Sequence, residues 1–260
     1  TLVDVTMASV VANLVKADPL WLLLIGPPSS GKTELLRALD DLSFVKFLST
    51  MTPQTLISGK KSKDGKSSSL LPKLNGKILI LKDFTTVLSL RHEQRTEILA
   101  QLREVYDGRF SKSFGTGETI DWTGHVGFLA ACTPVYDRHY SVIGSMGDRF
   151  ILYRTDNENQ MESGCMALNA IGRESAMRTE LRTAVGKFLK QFTNFKFSKF
   201  NTAKETPEMI VGLASFCAFL RCPVERSHDN QCVLYEPQPE GTPRLSKQLY
   251  QLGIALAVVH

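Results

Sequence analysis

The sequence predicts an α/β fold: a parallel sheet between two layers of helices, followed by a smaller domain built from helices alone. Short apolar runs of strand length recur up to residue 156, and helix-like patterns separate most of them. That is the order of a parallel sheet with crossover helices. After residue 156 the strand signals fade, and apolar residues fall at helical spacing instead. Between the first apolar run and the first helix pattern stands Gly26-Pro27-Pro28-Ser29-Ser30-Gly31-Lys32-Thr33, a glycine-bracketed turn from strand to helix.

The expected strands are Leu20 to Ile25, Phe44 to Leu48, Lys77 to Leu81, Val126 to Ala131 and, fifth, Phe150 to Tyr153. Glu34 to Leu39 reads as the helix leaving the turn, and Arg91 to Tyr106 as a second helix. Residues either side of Gly115-Thr116-Gly117 alternate, which predicts a β-hairpin between Asp107 and Val126. Segments 173–192, 207–221 and 244–258 carry helical periodicity, with Pro207 where it can start a helix. The expected division is a core of residues 1–156 and a helical lid of residues 157–260.

An apolar fraction of 43% with 22% charged residues excludes a disordered or fibrous chain. The net charge of +5 permits a nucleic-acid partner without demanding one. No apolar run approaches the ~18 residues of a membrane span and no secretion signal is present, so the expected setting is cytoplasmic, with no membrane partner. The five cysteines include no C-x-x-C, which disfavours a disulfide frame or zinc ribbon. The start at Thr1 and the end in an apolar helix-like stretch suggest a piece of a longer protein.

The turn is a complete G-x-x-x-x-G-K-[ST] phosphate-binding loop, and it points to a nucleoside triphosphate with Mg²⁺. Gly26, Pro27, Pro28, Ser29, Ser30, Gly31, Lys32, Thr33 and Glu34 form the candidate nucleotide site. Loop N–H groups and the positive helix end cradle phosphates, Lys32 reaches the β/γ oxygens and Thr33 holds the metal. The apolar run Ile78-Leu79-Ile80-Leu81 ends in Lys82-Asp83, which sets a second metal-holding carboxylate, Asp83, beside Thr33.

With these motifs the chain resembles the AAA+ ATPases, most closely their MCM-like and phage-type branch, which carries a hairpin before a sensor strand. The resemblance implies that Thr133, ending Val126 to Pro134, contacts the γ-phosphate or the attacking water. It implies that Arg149, in Gly147-Asp148-Arg149-Phe150, is an arginine finger reaching a neighbouring subunit's nucleotide, with Arg138 second in line. It also implies that Arg244, in Gly241-Thr242-Pro243-Arg244, is a lid arginine touching the nucleotide. The family usually follows the metal-holding Asp with a water-polarising glutamate, where this sequence has Phe84. Glu93, Glu97 and Glu104, on one helix face, are candidate substitutes, although a solvated charged face is the better account of them.

In the MCM-like branch the hairpin enters the pore of a ring and grips DNA, which makes Arg109, Lys112 and Phe114 candidate nucleic-acid contacts. The alternative is a hairpin that only packs. Lys60, Lys61, Lys63 and Lys66 lie in a Lys/Ser-rich loop suited to phosphate contact of no sequence preference, or merely solvated. Phe188, Phe192 and Phe195 fall at helical core spacing and read as lid packing. The expected protein is thus an ATP-hydrolysing ring module, a homo-oligomer of hexamer type and phage or mobile-element origin. It would move on single-stranded or forked DNA as a helicase or translocase. The alternative is a hydrolysis-poor switch, loader or assembly scaffold, which Phe84 keeps open.

Overall fold

The computed structural model describes residues 1–59, 68–115, 117, 119–145, 149–155, 159–197, 200, 202–222, 224, 227, 232–234 and 238–260. Its strands are β1 (Trp21–Ile25), β2 (Val45–Leu48), β3 (Lys77–Leu81), β4 (Arg109–Ser113), β5 (Thr119–Thr123), β6 (Val126–Cys132) and β7 (Phe150–Arg154). Its helices are α1 (Leu2–Leu14), α2 (Lys32–Arg37), α3 (Pro53–Leu56), α4 (Thr85–Leu88), α5 (His92–Tyr106), α6 (Tyr140–Ser145), α7 (Gln160–Asn169), α8 (Glu174–Lys190), α9 (Thr206–Leu220) and α10 (Pro243–Val259).

Five strands form one parallel sheet in the order β2-β3-β6-β1-β7, while β4 and β5 pair antiparallel as a hairpin. The expected α/β class and the five expected strands are therefore present, with ends that differ by about a residue. Helices cover both faces of the sheet, so its strands carry apolar residues in unbroken runs. Successive side chains point to opposite faces. Trp21, Leu23 and Ile25 join α4, α5, Phe110 and Trp122 in one apolar cluster. Leu22 and Leu24 join α1, α2, α8 and α10 in the other.

α8 enters this second cluster through Val185 and Leu189, with Phe188, Phe192, Phe195 and Phe197 packed against it, and α10 enters through Leu252 and Ala255. Parts of the segment read as a lid thus share an apolar cluster with α1 and the sheet. The phenylalanines are packing residues, as their spacing predicts. α1 is not anticipated by the sequence reading, because its polar residues interrupt the apolar pattern. Thr6 and Ser9 are nevertheless buried, each hydroxyl donating to the carbonyl four residues back at 2.7 Å. Asn13 donates to the Leu20 carbonyl at 2.7 Å and accepts the Leu20 N–H at 3.0 Å, tying α1 to the start of β1.

Candidate functional site

The sheet delivers the phosphate loop to its carboxyl edge. Ile25 lies opposite Cys132 of β6, and Leu81 of β3 opposite Ala130, so the segments after β1, β3 and β6 leave the sheet side by side. β1 sits between β6 and β7, where the chain's crossovers diverge, which is where open α/β sheets hold ligands. A cleft of about 720 Å³ at this edge is lined by the loop from Pro28 to Glu34, by Asp83 and by Thr133. The structure therefore brings Lys32, Thr33, Asp83 and Thr133 together, although they are far apart in sequence.

Local backbone shape comes from the loop's small residues. Ser29 (φ 63°) and Gly31 (φ 78°) are left-handed, and Gly31 caps α2. Left-handed residues alternating with right-handed ones turn successive N–H groups toward one point, a concavity suited to anions. Ser29 has a Cβ, so its conformation stores strain of about 1–3 kcal/mol that the surroundings must hold. Gly26 is required by close approach, since a Cβ there would lie 1.8 Å from the Thr155 hydroxyl oxygen.

Lys32 is only 7% exposed, and its ammonium donates to the Gly26 and Pro27 carbonyls at 2.8 and 2.7 Å and to Ser30 Oγ at 2.8 Å. Burial pulls its pKa below the ordinary 10.5, while the nearby Cys132 and Asp83 oppose that shift. Phosphate oxygens could replace these loop oxygens without leaving the charge unpaired. Across the cleft, one Asp83 carboxylate oxygen accepts the Thr85 N–H at 2.9 Å. Thr85 Oγ1 in turn accepts the Thr133 N–H at 3.1 Å, which ties the ends of β3 and β6 together.

Phe84 turns the other way. It is 0% exposed, its N–H donates to the Ala131 carbonyl at 2.7 Å, and its ring packs on Phe150 and Phe128 at 5.6 and 6.3 Å. The residue after Asp83 is thus a core side chain. The suggested substitutes do not reach the cleft. Glu93, Glu97 and Glu104 are exposed on α5, and Glu97 accepts Lys112 at 2.9 Å. Among the described residues the carboxylates lining the cleft are Asp83 and Glu34.

Glu34 brings in a residue that motif reading missed. Arg178 of α8 forks onto its carboxylate at 2.8 and 3.1 Å, and Arg37 donates to it at 2.9 Å. The Arg178 hydrogen bond is the main reason that the Glu34 pKa lies below its ordinary 4.5. Arg182, one turn on, reaches Asp41 at 3.3 Å. Arg178, Arg182, Val185 and Leu189 fall at i, i+4, i+7 and i+11, one stripe of α8 whose apolar end is buried. That periodicity was the available signal.

The two arginines that the resemblance singled out lie elsewhere. Arg149 stands just before β7, where Phe150 is opposite Trp21, hence at the amino edge of the sheet. It is 8% exposed, pairs with Asp107 at 3.1 Å and lies over the Tyr106 ring. Arg244 also lies over Tyr106, 3.8 Å from Glu240, and Gln248 of the same helix donates to the Arg149 carbonyl at 2.7 Å. Contrary to the expectation for a lid arginine, Arg244 is at the edge opposite the phosphate loop, because α10 packs its first turns over the ends of α5 and β7. Arg138, the second candidate finger, is exposed on the 3-10 turn after Thr133.

The hairpin is present, with one of its three candidate contacts, Phe114, turned to the core and another, Lys112, held in a surface ion pair. Lys112 pairs with Glu97 and lies 5.8 Å from the Phe114 ring centroid, while Phe114 packs against the core. Arg109 is exposed. Lys60, Lys61, Lys63 and Lys66 lie outside the described residues, as do Gly147 and Asp148. Among the described residues no helix is long and apolar enough to cross a membrane.

No curated protein matches this chain. The profile of the "ATPase family associated with various cellular activities (AAA)" matches residues 22–151, half of the sequence, from the strand that delivers the phosphate loop into the edge strand β7. With the phosphate loop, the parallel sheet and the cleft in agreement, this ATP-binding ATPase module belongs to the AAA family.

Proposed function

We propose that the chain is a nucleotide-controlled switch of an oligomeric assembly, which binds ATP tightly and turns it over slowly. The observation that carries this reading is the pairing of a complete phosphate site with a core phenylalanine at position 84, which leaves Asp83 and Glu34 as the cleft's carboxylates among the described residues. Loop N–H groups hold the phosphates, and Lys32 exchanges loop carbonyls for β/γ oxygens. The Thr33 hydroxyl and Asp83 carboxylate, hard oxygen donors lining one cleft, suit Mg²⁺, which would supply charge neutralisation on the phosphates. Thr133 faces the γ position. From the lid side Arg178, already beside Glu34, replaces Arg244 as the arginine within reach of the nucleotide. Arg138, being exposed, suits contact with a neighbour's nucleotide better than the buried and paired Arg149. The part after residue 156 would act as lid through α8.

A second reading, the helicase or translocase motor of the MCM-like and phage-type branch, acting on DNA as a hexameric ring, is favoured by one observation. The β4–β5 hairpin stands between α5 and β6 and presents Arg109 to solvent. ATP hydrolysis over a range of protein concentration, with and without single-stranded DNA, separates the two. The switch gives tight binding with slow turnover that DNA leaves unchanged; the motor gives turnover that rises with DNA. In either case Lys32→Ala should lower turnover by roughly 10²–10³-fold, as expected for removal of one positioned donor to developing charge. Unchanged turnover in Lys32→Ala would remove this cleft from the reaction.

A further inference from the structure

A threonine placed before a proline at the start of a helical turn ordinarily engages its hydroxyl with the free N–H groups of that turn. Thr133 stands in that place, ahead of the 3-10 turn Pro134–His139, yet its side chain makes no such cap. It lines the phosphate cleft instead, and among the described residues its hydroxyl meets one group, Thr85 Oγ1, at 3.3 Å. Counting lone pairs and protons orients the two hydroxyls. Thr85 Oγ1 accepts the Thr133 N–H at 3.1 Å. Its single proton has two acceptors in reach, Thr133 Oγ1 at 3.3 Å and Cys132 Sγ at 3.5 Å. Hydroxyl oxygen accepts better than thiol sulfur, and burial pushes the Cys132 thiol above its ordinary 9.0, so no thiolate competes. The Thr85 proton therefore goes to Thr133 Oγ1, and the Thr133 proton is left to point away from Thr85, into the cleft. A donor aimed there suits a group that only accepts, as the terminal oxygens of a γ-phosphate do.

We propose that Thr85 is a positioning residue: it fixes the Thr133 hydroxyl as a donor to the γ-phosphate and so sets the preference of this cleft for a nucleoside triphosphate over the diphosphate. The inference rests on the switch reading above and supplies the contact by which such a switch tells its two nucleotide states apart. Thr85 also donates its backbone N–H to the Asp83 carboxylate at 2.9 Å. One residue thus holds the carboxylate suited to Mg²⁺ through its main chain and the γ-phosphate donor through its side chain. Substitution of the side chain separates the two.

Titration calorimetry with Mg²⁺ present compares the non-hydrolysable β,γ-imido analogue of ATP with ADP. Thr85→Val removes the hydroxyl and keeps the branched shape and the backbone N–H. It should weaken the analogue by about tenfold, the scale of one hydrogen bond to a charged group, and change ADP by less than about twofold. Thr133→Ala should do the same. The double variant should lose no more than either alone, because Thr85 acts through Thr133. Thr85→Ser should keep the parent's preference, and the Mg²⁺ dependence of ADP binding should stay unchanged throughout, since Asp83 retains its N–H donor. If Thr85→Val does not fold, Thr85→Ala is read in its place, and Thr133→Ala tests the proposal by itself. Equal losses for the two nucleotides, losses that add in the double variant, or an unchanged preference in either single variant overturns the proposal. So does a parent that binds both nucleotides alike, an outcome that leaves the nucleotide site standing. A parent that binds neither overturns both.

Discussion

The two edges of the central sheet carry similar residues with different fates. At the carboxyl edge Lys32, Asp83, Thr133 and, through Glu34, Arg178 converge on an open cleft. At the amino edge Arg149, Arg244, Asp107, Tyr106 and Gln248 close on one another, and burial pushes the Tyr106 phenol up to about 12. An arginine at the amino edge is consumed by ring faces and fixed carboxylates. One at the carboxyl edge sits on a half-exposed pair that a phosphate can outbid. The sheet's polarity, rather than residue type, separates the arginine beside the phosphate loop from the two at the opposite edge.

The largest expected effect tests the border between cleft and core. Phe84→Glu would put the missing carboxylate in its usual place in the sequence, but the backbone aims position 84 at Phe128 and Phe150. An unpaired buried carboxylate costs several kcal/mol, on top of about 3–5 kcal/mol for losing the ring. The variant should unfold or melt far below the parent in a thermal scan, without a gain in turnover. A folded Phe84→Glu with faster hydrolysis would show that the strand end can rotate position 84 into the cleft, and the distinction drawn between the edges would fail.

A smaller effect separates the arginines themselves. Arg178→Ala should weaken ATP binding by about an order of magnitude, the scale of losing a charge-assisted contact to phosphate, with little change in melting temperature. Arg244→Ala should do the reverse, leaving affinity intact and lowering the melting temperature slightly through lost packing on Tyr106. Titration calorimetry beside thermal unfolding reads both. Equal affinity losses in the two variants would mean that α10 and α8 exchange roles when nucleotide is bound.

Much of this was legible in the sequence, and the limits have physical causes. The phosphate loop and Asp83 were readable because a strand must end in a particular backbone shape, which only a short list of residues supports. Burial on both faces made the strands readable as apolar runs. Arg178 was legible only as part of the stripe that ends in Val185 and Leu189, because its contact with Glu34 of α2 depends on how a helix more than a hundred residues away packs. The edge of the sheet on which Arg149 and Arg244 sit was not legible for the same reason, since a motif fixes neighbours in sequence but not the edge on which its helix docks. The hairpin was found, yet the direction of Lys112 was set by Glu97 on another element.

The smallest expected effect is a titration of the carboxyl edge. The Glu34 pKa is held below its ordinary 4.5, first by the Arg178 hydrogen bond. Above 4.5 the carboxylate is ionised in both folded and unfolded chains, so its stabilising contribution is fully present. As pH falls below 4.5 the unfolded chain takes up the proton first, and the contribution fades until the folded carboxyl is also protonated. The melting temperature of the parent minus that of Glu34→Gln should therefore be positive near neutrality and shrink as the solution is acidified below that value. Both partners are substantially exposed, which limits the difference to about 2 °C and makes it fall with added salt. A difference that is independent of pH would mean that α8 does not hold Arg178 on Glu34 in solution, and the carboxyl edge would then lose the arginine that distinguishes it.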